Sequence, residues 1–137
     1  MSVLIDTNIV SELRKAARAN PGVKSWSQSL LEGQVFISVI TLHEIARGIV
    51  AAEKRRRPEA ALLRDWFDTS LRPGYANRML PVTAEIALVA ASFAAERTVE
   101  LADHLIAATA IVHDLTLVTR NTGHFTHTGV RLLNPFT

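Results

Sequence analysis

Apolar residues along this chain recur in two manners: short unbroken clusters, and longer stretches with apolar positions three or four apart. Val3-Leu4-Ile5 and Val35-Phe36-Ile37 are clusters of the first kind, too short for helices and apolar throughout, the pattern of strands covered on both faces. Leu115-Thr116-Leu117-Val118 predicts a further strand, and Val130-Arg131-Leu132-Leu133 another before Pro135. Met79-Leu80-Pro81-Val82 fits only an edge strand, because Pro81 lacks the N–H that an inner ladder needs. Helical spacing joins Ile9, Val10, Leu13 and Ala17. Asn20-Pro21 is an N-cap with proline in the first turn, and Gly33 is placed to end that helix after Leu30-Leu31. Thr41-Leu42-His43-Glu44 opens a long helix that carries Ile45, Ile49 and Val50 into Lys54-Arg55-Arg56-Arg57. Pro58 restarts a helix through Leu62, Leu63, Trp66 and Phe67, which stops before Arg72-Pro73-Gly74. Thr83 begins an alanine-rich helix through Ala94, and Asp103 stands at the start of a helix over 105–114.

Short strands alternating with helices predict right-handed βαβ units, hence an α/β fold with a central, mostly parallel sheet of four to five strands and helices on both faces. No linker, repeat or low-complexity stretch interrupts the 137 residues, so a single domain over 1–137 is expected. The helices from 41 to 71 carry Ile49, Val50, Leu62, Leu63, Trp66 and Phe67, more than a small core is expected to bury. An interface is predicted there. Trp26 and Trp66 read as packing residues.

Composition removes several classes of function. Apolar residues make up 48% of the chain, yet no run approaches the roughly 20 needed to span a membrane. Met1-Ser2-Val3-Leu4-Ile5-Asp6 has no basic region and closes on an acid, which reads as a strand and not a signal peptide. Without cysteine there are no disulfides, zinc–thiolate sites or thiol nucleophiles, and a reducing cytoplasm is the expected location. A net charge of +2 permits nucleic-acid binding without requiring it. There is no G-x-S-x-G elbow, Walker A loop or G-x-G-x-x-G turn.

What remains is a set of acids. Parallel sheets place their sites beyond the carboxyl ends of the strands. Asp6 closes the first strand; Ser38, Thr41 and Glu44 follow the second; Asp103 opens a helix; Thr119, Arg120 and Asn121 follow the fourth strand. Three carboxylates on one edge repel unless a cation neutralises them or one is protonated. Oxygen ligands without His or Cys suit Mg2+, with Mn2+ as a substitute, and such an ion can activate water against a phosphodiester. Taken singly, each acid also has a capping role open to it: Asp6 and Asp103 as N-caps, Glu44 in a Thr41-x-x-Glu44 capping box. Their shared edge favours the metal site. Arg120 is the candidate for phosphate, since guanidinium matches it bidentately. Lys54-Arg55-Arg56-Arg57 complements a helix C-terminus and reads as a solvated end. His43 and His104 adjoin proposed ligands, but helical neighbours point about 100° apart, so neither shares its neighbour's direction.

Four blocks of residues resemble the PIN-domain family. Val3-Leu4-Ile5-Asp6-Thr7-Asn8-Ile9 is similar to its opening strand and acid, and Ser38-Val39-Ile40-Thr41-Leu42-His43-Glu44-Ile45 to its second block. Leu101-Ala102-Asp103-His104-Leu105-Ile106-Ala107-Ala108-Thr109-Ala110 is similar to the third, and Leu117-Val118-Thr119-Arg120-Asn121-Thr122-Gly123-His124-Phe125 to the fourth. The subgroup resembled is that of VapC or FitB-like toxins of bacterial toxin–antitoxin pairs. The resemblance implies a PIN-like three-layer α/β/α sandwich and a Mg2+-dependent endoribonuclease with Asp6, Glu44 and Asp103 as catalytic and metal-binding residues. Asn8, Thr41, Thr119, Arg120, Asn121 and His124 would support the site or touch phosphate. It further implies an RNA substrate, a homodimer and a cognate antitoxin. The chain departs from the family where relatives carry a fourth acid: His124 and Asn121 stand at the two places, neither a carboxylate, which puts a second metal in doubt. His124 then reads as an exposed loop residue before a catalytic one.

Two other functions use the same residues. With the fourth acid gone, the fold serves as a catalytically degenerate RNA- or protein-binding module. A phosphotransfer domain also puts an Asp after its first strand, but Asp6-Thr7-Asn8 lacks the paired acid expected there.

Overall fold

The computed structural model describes residues 1–93 and 100–137. The strands are β1 (Val3–Ile5), β2 (Val35–Ser38), β3 (Met79–Leu80), β4 (Thr116–Val118) and β5 (Leu132–Leu133). They form one sheet in the order β3-β2-β1-β4-β5, and every neighbouring pair is parallel. Pro81 follows the edge strand β3, where its missing N–H is harmless.

The helices are α1 (Thr7–Leu13), α2 (Pro21–Gln28), α3 (Val39–Lys54), α4 (Ala60–Trp66), α5 (Arg72–Gly74), α6 (Ala84–Ala91) and α7 (Leu101–Val112). Alternation along the strands assigns them to two layers. Leu4 and Leu117 pack with Ile86, Ala90, Ile106, Ala107 and Ala110 of α6 and α7. Val3, Ile5, Ile37 and Val118 pack on the other face with Ile9, Val10, Ile45, Ile49 and Phe67. Side chains of successive strand residues leave opposite faces, so the central strand β1 is covered on both and is apolar throughout. The result is a three-layer α/β/α sandwich.

Several boundaries differ from the sequence reading. α1 stops at Leu13, and Ala17 lies in a 3-10 turn after Ala16, whose φ is 52°. The carboxylate of Glu12 accepts the Asn20 backbone N–H at 2.8 Å, drawing the chain back on itself before another helical turn can form. α2 ends at Gln28, so Leu30 and Leu31 lie beyond it and Gly33 sits inside a 3-10 turn. Ser27 and Ser29 hydroxyls donate to the carbonyls of Lys24 and Trp26, the local competition that ends helices early. α3 starts at Val39, because the Ser38 hydroxyl accepts the Ile40 N–H at 3.0 Å and takes the cap. No Thr41–Glu44 capping box forms, and Thr41 is fully buried.

α4 continues through a π-helical turn (Phe67–Leu71) into α5, where a helix stopping before Arg72 was expected. α7 begins at Leu101, which puts Asp103 inside its first turn and not in the capping position. The predicted continuation of α6 to Ala94 falls on a residue outside those described. The apolar surplus expected over 41–71 is mostly spent internally: Ile49 and Phe67 are buried, Leu63 and Trp66 half-buried. Val50 at 40% and Leu62 at 73% stay exposed. Among the described residues, no helix is long and apolar enough to cross a membrane.

Candidate active site

Parallel register sets the C-terminal ends of β1 and β4 side by side. Ile5 is paired with Val118, and the Asp6 N–H donates to the Val118 carbonyl at 2.9 Å. The next residues, Asp6 and Thr119, therefore meet. Asp6 is 6% exposed. Its Oδ1 accepts the Thr7 N–H at 2.8 Å, and its Oδ2 accepts the Thr119 hydroxyl at 2.8 Å and the Asn8 amide at 3.2 Å. Asp6 thus caps α1 with one oxygen and turns the other to the Thr119 and Asn8 side chains. Burial pushes the Asp6 carboxyl above its ordinary range, against hydrogen bonds from Thr119, Thr7 and Asn8 that favour the charge, and Asp103 pushes it further up.

Glu44 projects from the second turn of α3. Its Oε1 accepts the Thr7 hydroxyl at 2.6 Å, and Thr41 Oγ1 lies 3.3 Å from the same hydroxyl. Thr7 is the site residue the sequence reading overlooked. Its signal was position: a hydroxyl directly after a strand-ending acid, at the start of a helix facing α3.

Asp103 comes from α7 and is half-buried, with His124 Nδ1 3.5 Å from its Oδ2. Burial raises its carboxyl; His124 opposes this, while Glu44 and Glu100 add repulsion. Asp103 thus feels Glu44, and Asp6 feels Asp103. Among the described residues, no lysine or arginine is one of the groups drawing Asp6 or Asp103 down. The acids ring one edge of the sheet, yet among the described residues no three His, Asp or Glu side chains are arranged to cage an ion as they stand.

The expected supporting residues divide. Asn8 ties the loops together: its amide donates to Asp6 and, at 3.2 Å, to Thr119, while its oxygen accepts the Arg120 N–H at 3.0 Å. Thr119 is fully buried and also accepts the Asn121 N–H at 3.1 Å. Asn121 therefore enters through its backbone. The Arg120 guanidinium lies over the Phe136 ring at 4.8 Å. A planar cation gains from that aromatic face. His43 is exposed, and His104 is buried with its Nε2 3.0 Å from that of His127 and its ring edge-on to Phe93.

Chemically, this edge offers carboxylates and hydroxyls, hard donors suited to Mg2+ or Mn2+. A divalent ion would relieve the repulsion among these carboxylates. A closed cage is unnecessary, since Mg2+ keeps several waters and needs only one or two carboxylates besides a substrate phosphate.

The sequence profile of the PIN domain matches residues 3–130. The chain belongs to the PIN-domain family. This PIN domain is 34% identical over 139 residues to toxin FitB of Neisseria gonorrhoeae, covering 98% of each chain. It is 30% identical to VapC ribonuclease Y4jK of Sinorhizobium fredii, across 98% of its own length and 97% of the relative's. Its fold superposes on the crystal structure of FitAcB from Neisseria gonorrhoeae with a TM-score of 0.86 and 32% identity, covering 97% of both chains. The resemblance drawn from the four sequence blocks is correct at the level of family and fold.

Proposed function

We propose that this PIN domain is the toxin of a toxin–antitoxin pair and acts as a Mg2+- or Mn2+-dependent endoribonuclease. Relatives named as a toxin and as a VapC ribonuclease, each matched over nearly its whole length, support the class. The observation that carries the chemistry is the run of repulsion from Glu44 to Asp103 and from Asp103 to Asp6 on one sheet edge, with no lysine or arginine among the described residues drawing either aspartate down.

Asp6 and Asp103 would hold the ion, with Glu44 completing the donor set. When bound, the ion supplies positive charge to the scissile phosphate and lowers the pKa of water for attack on it. The chain's own residues do the positioning. Thr119 and Asn8 fix Asp6 Oδ2 in orientation. Thr7 fixes Glu44 Oε1 and leaves Oε2 to bind or to take a proton from the attacking water. A cognate antitoxin and a homodimer complete the proposal, the latter supported by the exposed Val50 and Leu62. The cytoplasm is the proposed place of action.

Purified protein should cleave single-stranded RNA with Mg2+ or Mn2+, stop on chelation and resume when metal is restored. A second reading, a degenerate binding module, is favoured by His124 and Asn121 standing at the two places where a fourth acid is expected. RNA bound but left intact at saturating metal would select it.

A further inference from the structure

The loop after β4 brings a nitrogen donor to the acids. His124 Nδ1 stands 3.5 Å from Asp103 Oδ2, with the His124 side chain 60% exposed and that of Asp103 25%. The root of the ring is fixed and its end is not. Phe125, the next residue, is 1% exposed and anchors the loop, and the His124 N–H donates to the Asn121 carbonyl at 3.0 Å. The imidazole itself lies tilted to the Phe125 ring at 6.4 Å, too loose a contact to hold it.

We propose that His124 is a ligand of the divalent ion at Asp103, making the site a mixed carboxylate–imidazole one that selects Mn2+ over Mg2+. The proposal rests on the metal-site reading above and refines it. Two donors in adjacent octahedral positions at roughly 2.1 Å from an ion stand about 3 Å apart. The observed 3.5 Å therefore requires a shift of a few tenths of an ångström, which an exposed side chain can make. The chemistry then discriminates. Mg2+ takes oxygen ligands and sheds water reluctantly, whereas first-row transition ions accept imidazole. With oxygen donors alone the two ions compete on near-equal terms; one nitrogen donor separates them. Because the ligating imidazole is neutral, it adds a donor without adding to the repulsion among Asp6, Glu44 and Asp103.

The test is electron paramagnetic resonance of Mn2+ titrated into the metal-free, full-length protein, with spin-echo modulation to detect directly bound nitrogen. The native protein should show nitrogen modulation and His124→Ala should lose it. Mn2+ affinity in His124→Ala should fall at least about tenfold, the low end of what is lost when even a ligand's supporting partner is removed. Mg2+ affinity, read by competition, should stay unchanged. A melting curve for His124→Ala establishes that it folds, as expected for an exposed side chain. Mn2+ bound without nitrogen modulation in the native protein, or with modulation retained in His124→Ala, overturns the proposal and leaves the acid site standing. Mn2+ binding that is indifferent to Asp103→Asn overturns the acid site, and the proposal with it.

Discussion

The hydroxyl of Thr7 donates to Glu44 Oε1 across 2.6 Å, joining the residue after the β1 acid to an acid 37 positions further along. Through this one contact α1 and α3 hold two of the three carboxylates in a fixed relation. Thr7→Val keeps the branched shape and removes the donor. Cleavage should fall by about two orders of magnitude if Glu44 swings by an ångström, with a stability loss of only about 1–2 kcal/mol. Thr7→Ser should restore most of the activity. Cleavage rates and melting curves on the three proteins check this.

Asp103→Asn should abolish cleavage while raising the melting temperature of the metal-free protein at neutral pH. The substitution removes a charge that burial and Glu44 oppose. Asp6→Asn should lose activity without that gain. Its new amide would stand where Asp6 Oδ2 now accepts from Asn8 and Thr119, placing donor against donor. Comparing the two variants by melting in chelator separates the roles. A large destabilisation by Asp103→Asn would show that its charge supports the fold.

Both aspartates have folded-state pKa values raised above their ordinary value, so the folded protein binds protons more tightly than the unfolded chain. The sign follows from linkage. Their contribution is fully present below the unfolded pKa and is lost as pH rises through the raised, folded pKa. Metal-free protein should therefore gain stability as pH drops from neutrality into the carboxylate range, and saturating Mn2+ should flatten that dependence. Melting temperatures across pH with and without metal provide the measurement.

Ser38 and Glu44 can be separated because the cap of α3 lies at Ser38. Ser38→Ala should cost about 1 kcal/mol, the usual value of an N-cap. Glu44→Gln leaves that cap intact and can still accept from Thr7, so it should melt near the native temperature with little activity. Denaturant unfolding and RNA cleavage on both variants decide the assignment.

Much of this was legible in the sequence, and the reasons for the rest are physical. Val3-Leu4-Ile5 and Leu117-Val118 announced buried parallel strands because both of their faces had to be apolar. Asp6 and Thr119 could be brought together from strand order alone, since parallel neighbours end on the same edge. The cap of α3 was misplaced because Ser38 and Thr41 are both good caps, and only the length of β2 chooses between them. The resting place of Arg120 was not legible because its attraction to Phe136 is a contact across 16 positions that no local pattern reveals. His124 read as a surface residue because exposure and contact with an acid are not exclusive, and it has both.

As proposed, Asp6, Glu44 and Asp103 form one metal-dependent RNA-cleaving site. Single-turnover cleavage of an RNA substrate by native protein and by folded Asp103→Asn, side by side in saturating Mn2+, tests it most directly. The native protein should cleave in a way that chelator abolishes, and the variant should not cleave. Equal cleavage by both proteins, or native cleavage that persists in chelator, would contradict it.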